Sequence, residues 1–213
     1  MTAKREPLNR ERVLRAAIAL ADRDGLDALT MRRLGQEVGV EAMSLYNHVK
    51  NKNDILDGIV DLVLSDIDVP PSGTPWKAAM RRRSISAHEV LVAHPWAAMQ
   101  IMSRFNIGPG MTRYLDATLG RLLESGFSVE GALDAWHTLD SHLYGFTLQQ
   151  LSLPFAQDEA PRVSGQVLPG LPVEEFPHVV QVITHVMGSG RVEDFEYGLD
   201  LILDGLEAKL RRS

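Results

Sequence analysis

Apolar residues recur at three- and four-residue intervals along almost the whole chain, the period of helices that bury one face. Val13, Leu14, Ala17, Ile18, Leu20 and Ala21 form the first such stripe, with Asn9 placed to cap its start and Gly25 to stop it. A short second helix follows: Thr30 is its cap, Met31, Leu34 and Val38 are its apolar positions, and Gly39 supplies the tight turn after it. A third helix is expected from about Glu41, with Met43 or Leu45 turned inward beside Val49, and Ala42, Ser44, Asn47 and His48 left outside. Two short helices joined by a glycine turn and braced by a third have the grammar of a helix-turn-helix.

The pattern continues to the end of the chain. A fourth helix, residues 51–66, is capped by Asn51 and precedes a Pro70-Pro71-Ser72-Gly73-Thr74-Pro75 break. Further helices are expected from Trp76 to about His94, from there to Arg104, from Met111 to Ser125, and over a long span from Ser128 to about Leu153. Residues 155–172, rich in Pro, Gly and polar side chains, read as a loop, and two helices remain near 174–187 and 192–212. The expectation is an all-α protein: a helix-turn-helix domain over 1–53, the fourth helix as connector, and a helical body over 67–213. In that body Leu133, Trp136, Leu143, Thr147 and Leu151 form one stripe, and Phe195, Leu199, Ile202, Leu206 and Leu210 another. With Leu201, Ile202 and Leu203 consecutive, the last helix is apolar over too wide an arc to be covered from one side, which predicts a homodimer seam.

Charge sharpens this picture. The net charge is −6, yet residues 1–53 hold 10 Lys and Arg against 7 Asp and Glu, whereas the remaining residues hold 12 against 21. A basic head on an acidic body suits a polyanion partner at one end only. In a helix-turn-helix, side chains near the start of the second helix of the pair meet base edges in the major groove. That places Ala42, Ser44, Tyr46, Asn47 and His48 toward DNA. Lys52, in the first turn of the fourth helix, adds its charge to free backbone N–H groups and is the foremost phosphate contact. Arg32 and Arg33 come next, because a guanidinium forks onto a phosphate or a guanine edge.

Chemistry is sparse by comparison. Zero cysteines exclude disulfides and thiolate sites. Among seven histidines there is no H-E-x-x-H; His137 and His142 face different sides of a helix, and His178 and His185 lie two turns apart, so no metal site is expected. No phosphate loop or nucleophile elbow occurs, and neither an enzyme, a catalytic residue nor a cofactor is expected. The opening MTAKREPLNRERV lacks an apolar signal core and no run reaches the length of a membrane span, which predicts a cytoplasmic protein with no membrane partner.

The stretch T-M-R-R-L-G-Q-E-V-G-V-E-A-M-S-L-Y-N-H-V-K-N-K-N-D-I-L-D, residues 30–57, resembles the N-terminal domain of tetracycline-repressor (TetR) family regulators, most specifically in L-Y-x-H-V-x-N-K. Weaker similarity to the tetracycline-repressor subgroup continues in ESGFSVEGALDA and FEYGLDLILDGLEAKL. The resemblance implies an all-helical homodimer that represses transcription until a small molecule binds its C-terminal domain. It carries DNA contacts onto Arg32, Ala42, Met43, Ser44, Tyr46, Asn47, His48 and Lys52. Asn47 stands where the family often has a bulky aromatic, a departure that bears on the operator sequence. At the positions that hold magnesium-chelated drug in the subgroup this chain has Ile101, Ser141 and Gln149, which points to a metal-free organic effector. Candidate lining residues are Met80, Arg83, Ala87, Met99, Ile101, Met102, Phe105, Leu115, Thr118, Leu122, Trp136, His137, Asp140, Ser141 and Tyr144. The competing expectation is a constitutive DNA-binding protein whose body meets a protein partner.

Overall fold

A computed structural model describes residues 7–69, 71–104, 108–153, 159–189 and 194–212. Among them eleven α-helices and no strands occur: α1 (Arg10–Asp24), α2 (Met31–Val38), α3 (Ala42–Leu45), α4 (Lys52–Ser65), α5 (Trp76–Ala93), α6 (Ala97–Ser103), α7 (Pro109–Glu124), α8 (Val129–Ser152), α9 (Ala160–Val167), α10 (Pro177–Ser189) and α11 (Phe195–Leu210). The expected caps form. The side chains of Asn9, Thr30 and Asn51 each accept from a backbone N–H in the first turn of their helix, and Ser128, which was not expected as a cap, does the same for α8. Gly39 ends α2 in the left-handed region, at φ 74 and ψ 39, which sets the turn into α3.

Two cores exist, and α4 belongs to both. The head core gathers Val13, Leu14, Ala17 and Leu20 of α1, Leu34 and Val38 of α2, Leu45 and Val49 around α3, and Ile55 and Ile59 of α4. One turn later, Val60, Val63 and Leu64 of the same helix enter the body core with Met80, Ala87, Leu122, Leu139, Leu143 and Leu199. Gly35 of α2 lets the turn into α3 come close: a Cβ there would stand 2.8 Å from the Val40 carbonyl oxygen. In the body, α8 packs against α5, α7 and α11. A ladder of ion pairs, Lys77 to Asp204 and Glu207 and Arg81 to Glu196 and Asp200, runs between α5 and α11.

Three expectations change. The span 155–172 is not all loop: Ala160–Val167 is helical, started by Pro161 in its first turn, and a 3-10 turn at Leu168–Gly170 follows. Residues 154–158 lie outside the described residues. Second, the helix expected near 174–187 runs over Pro177–Ser189 and packs on α9 as a hairpin, with no residue buried. Third, α11 turns Phe195, Leu199 and Leu203 inward and leaves Ile202 and Leu206 half-buried, so its outward apolar face is Tyr197 and Leu201, not the stripe through Ile202 and Leu206. No helix among the described residues is long and apolar enough to cross a membrane.

Candidate DNA interface and ligand pocket

At the tip of the head, Leu45 and Val49 are buried and hold α3 down, while Met43 on the neighbouring face is 75% exposed and Tyr46 48% exposed. Of the two residues expected to compete for the inward position, Leu45 therefore takes it. Asn47 and Lys52 are exposed, and Ala42, Ser44 and His48 are half-buried beside them. Arg32 and Arg33 are exposed on α2, Arg33 paired with Asp24. Residues from α2, α3 and the start of α4 thus share one end of the molecule. Arg10 fixes this end from below, donating through both Nη atoms to Asp54 at 2.7 and 2.8 Å and to the His48 carbonyl at 3.2 Å. The Arg10 guanidinium and the Lys50 backbone N–H hold the Asp54 carboxyl down to about 2.

The body contains a cavity of about 670 Å³ lined by Ile101 and Met102 of α6, by Met111, Tyr114 and Leu115 of α7, and by Trp136, His137, Asp140, Ser141, Tyr144, Gly145 and Leu148 of α8. Eight of the expected lining residues are there: Ile101, Met102, Leu115, Trp136, His137, Asp140, Ser141 and Tyr144. Met80, Arg83, Ala87, Thr118 and Leu122 do not line it; each is 0% exposed and packs behind the wall as core. Their helical spacing is that of a buried face, and spacing alone does not separate a pocket wall from the layer behind it. Met99 is 53% exposed and away from the cavity, Gln149 also lies on the surface, and Phe105 lies outside the described residues. Met111, Tyr114, Gly145 and Leu148 were not expected. The signal for two of them was present, since His137, Ser141, Tyr144, Gly145 and Leu148 continue one stripe along α8.

Behind the wall, the fully buried Arg83 donates to Asp140 at 2.5 Å and to the Tyr114 hydroxyl. Burial pushes the Tyr114 and Tyr144 hydroxyls well above the ordinary tyrosine range, so both remain neutral. Among the described residues no group of three His, Asp or Glu is placed to hold a metal ion.

Sequence comparison assigns both parts of the chain to one family. The profile described as "Tetracyclin repressor-like, C-terminal domain" matches residues 69–210, and that of "Bacterial regulatory proteins, tetR family" matches residues 13–59. The chain belongs to the tetracycline-repressor family. It is 30% identical over 210 residues to the class D tetracycline repressor protein of Escherichia coli, covering 95% of this chain and 91% of that protein. The HTH-type transcriptional repressor DrrR1 of Streptomyces coeruleorubidus is 29% identical, over 94% of this chain and 77% of its own length. Among solved structures, the TetR family protein ActR of Streptomyces coelicolor, in complex with actinorhodin, superposes with a TM-score of 0.77 at 30% identity, covering 95% of this chain and 97% of that one. As a TetR-family transcriptional regulator, the chain has its helix-turn-helix in α2 and α3 and its body in α5–α11.

Within this TetR-family architecture three polar contacts that the sequence reading did not single out join the cavity wall to the head. Asp61 of α4 accepts from the backbone N–H groups of Gly110 and Met111, at 2.7 and 3.1 Å, capping the start of α7 from another helix. Arg104, just past α6, donates to Asp57 of α4 at 2.9 Å. Asp22 of α1 accepts from the Trp96 indole at 2.7 Å, at the entry to α6. Gly110 permits the first of these, since a Cβ there would stand 2.4 Å from the Asp61 carbonyl oxygen.

Proposed function

We propose that this regulator is a homodimeric repressor that occupies a near-palindromic DNA operator and leaves it when a small organic effector enters the α6–α8 cavity. The observation that carries this reading is the position of the cavity: Met111 lies in its wall and is also one of the two residues whose N–H groups Asp61 of α4 accepts. A molecule that displaces the start of α7 or the end of α6 therefore acts on α4, whose first turn bears Lys52. A ligand shifts such an equilibrium only as far as its affinities for the two states differ, and a wall fastened to α4 supplies that difference. The likeness to ActR, solved with actinorhodin, supports an organic effector. The expected DNA contacts are Arg32, Arg33, Ala42, Met43, Ser44, Tyr46, Asn47, His48 and Lys52. Exposed Val129 and Leu133 of α8 with Tyr197 and Leu201 of α11 support a dimer seam, which sets two heads side by side. The protein so read works in the cytoplasm without catalysis, cofactor or membrane.

A second reading keeps the DNA contact constitutive and gives the body a protein partner. Exposed Phe176, Val179 and Val182, around the start of α10, favour it. One experiment separates the two: DNA selected from a random pool is tested for release while a metabolite and drug panel is screened by thermal shift. Compounds that stabilise the protein and also lower operator affinity are the expected outcome. Stabilising compounds that leave operator affinity unchanged would favour the second reading.

A further inference from the structure

Among the described residues no Lys or Arg lines the cavity; its one carboxylate is Asp140, beside the imidazole of His137 and the unpaired indole N–H of Trp136. Arg83 takes one oxygen of that carboxylate, Oδ1, from behind, and the side chain keeps 12% exposure toward the cavity with Oδ2 unpaired. The remaining guanidinium nitrogens of Arg83, Nε and Nη1, are without partners but sealed from solvent, so an anion in the cavity cannot reach them. Tyr144, one turn along α8, presents a neutral hydroxyl with no partner. Around these groups stand the rings of Tyr114, Trp136 and Tyr144 and the thioethers of Met102 and Met111, which suit the faces of a flat aromatic molecule.

Gly145, exposed in the cavity wall, is the position from which a larger side chain would fill the cavity. It sits inside the longest helix, where glycine is unfavourable relative to alanine. Unlike Gly110 or Gly198, whose added Cβ would strike Asp61 or His142, a Cβ at Gly145 would meet nothing within 4 Å.

We propose that the cavity takes a planar aromatic molecule without negative charge, whose hydroxyl or N–H group donates to Asp140 Oδ2 and whose carbonyl accepts from Tyr144. Asp140 then acts as the specificity determinant, because its unpaired Oδ2 can only accept: it receives a hydroxyl or N–H, whereas a carboxylate of the same outline sets acceptor against acceptor while the Arg83 guanidinium stays sealed behind the wall. This rests on the reading of the cavity as the effector site.

Three tricyclic probes of one outline test it: 2-hydroxyanthraquinone, 2-methoxyanthraquinone and anthraquinone-2-carboxylate, titrated calorimetrically at a pH that keeps the hydroxyl protonated. The hydroxyl probe should bind the wild-type dimer at least about 10-fold more tightly than either of the others, the usual scale of a hydrogen bond to a charged acceptor. Asp140→Asn should shrink both gaps below about 3-fold. Should that variant fail to fold, the wild-type order still decides, and Tyr144→Phe, which leaves Arg83 and Asp140 paired, should weaken 2-hydroxyanthraquinone and 2-methoxyanthraquinone alike. Gly145→Leu, checked as a dimer by light scattering, should abolish binding of all three. Equal affinities in the wild type, or a preference for the carboxylate, would overturn the role of Asp140 while leaving the cavity as effector site if Gly145→Leu still removes binding. Binding that survives Gly145→Leu would place the probes elsewhere and overturn both. Failure of all three to bind would overturn the ligand class.

Discussion

At the first position of α4, Lys52 is exposed beside the Asn51 cap, where unpaired backbone N–H groups already favour a phosphate. Lys52→Ala is expected to weaken binding to all DNA sequences alike and to flatten the salt dependence by about one unit in a fluorescence anisotropy titration. Substitutions at Ser44 or Asn47 should instead change which bases are preferred, since these side chains stand beside the recognition surface without a fixed charge. Asp54 makes a different kind of statement. Its carboxyl is held near 2 by Arg10, below the ordinary aspartate value near 4, so the bond contributes stability above about pH 4 and loses it as pH falls toward 2. Because Arg10 is partly exposed, the contribution is on the order of 1 kcal/mol after solvent screening. Asp54→Asn should lower the melting temperature at pH 7 and bring it closer to that of the wild type at pH 2.5.

Between helices, small residues and single carboxylates set the geometry. Gly35→Ala would drive a Cβ to 2.8 Å from the Val40 carbonyl, a backbone atom that cannot step aside, and is expected to cost the head about 1–3 kcal/mol in chemical denaturation. DNA affinity should fall with it, because the angle of α3 to α2 aims the recognition surface. Asp61→Ala removes the acceptor of two N–H groups at the start of α7. The expected outcome is a protein that still binds both DNA and effector but releases DNA only at several-fold higher effector concentration, as the cavity wall no longer holds α4. Normal release by Asp61→Ala would move the transmission path to Arg104 and Asp57.

For the whole molecule, the apolar face left by Val129, Leu133, Tyr197 and Leu201 should be covered by a second copy. Leu201 is 57% exposed in the single chain, so Leu201→Asp spares the fold of one subunit and tests the seam alone. Burying that carboxylate unpaired costs several kcal/mol, and the variant should sediment as a monomer with weakened operator binding. Ile101 and Ser141 line the cavity, and if they stand at the positions that the resemblance to the drug-binding subgroup gives to magnesium, release from DNA should proceed equally with and without EDTA. Loss of release in EDTA that magnesium restores would reject a metal-free pocket.

Local rules were enough for much of this. The caps Asn9, Thr30 and Asn51, the turn at Gly39 and the apolar period of α1, α2 and α4–α8 all follow from neighbours within a turn or two, and those interactions are written in the sequence itself. The buried side of α3 was legible only in part, since Val49 was placed inward but Met43 and Leu45 competed for the other position and packing chose Leu45. Helix α9 was not legible, because Pro161, Gly165 and Pro169 read as breakers although proline is welcome in a first turn. Beyond that range the chain alone was silent. Which of Arg83 and Asp140 faces the cavity, that Met80 and Thr118 lie behind its wall, and that Asp61 reaches across to Gly110 all depend on contacts between residues dozens of positions apart. Helical period assigns a side chain to a face; only the packing of α4, α6, α7 and α8 against each other decides whether that face meets core, cavity or the next helix.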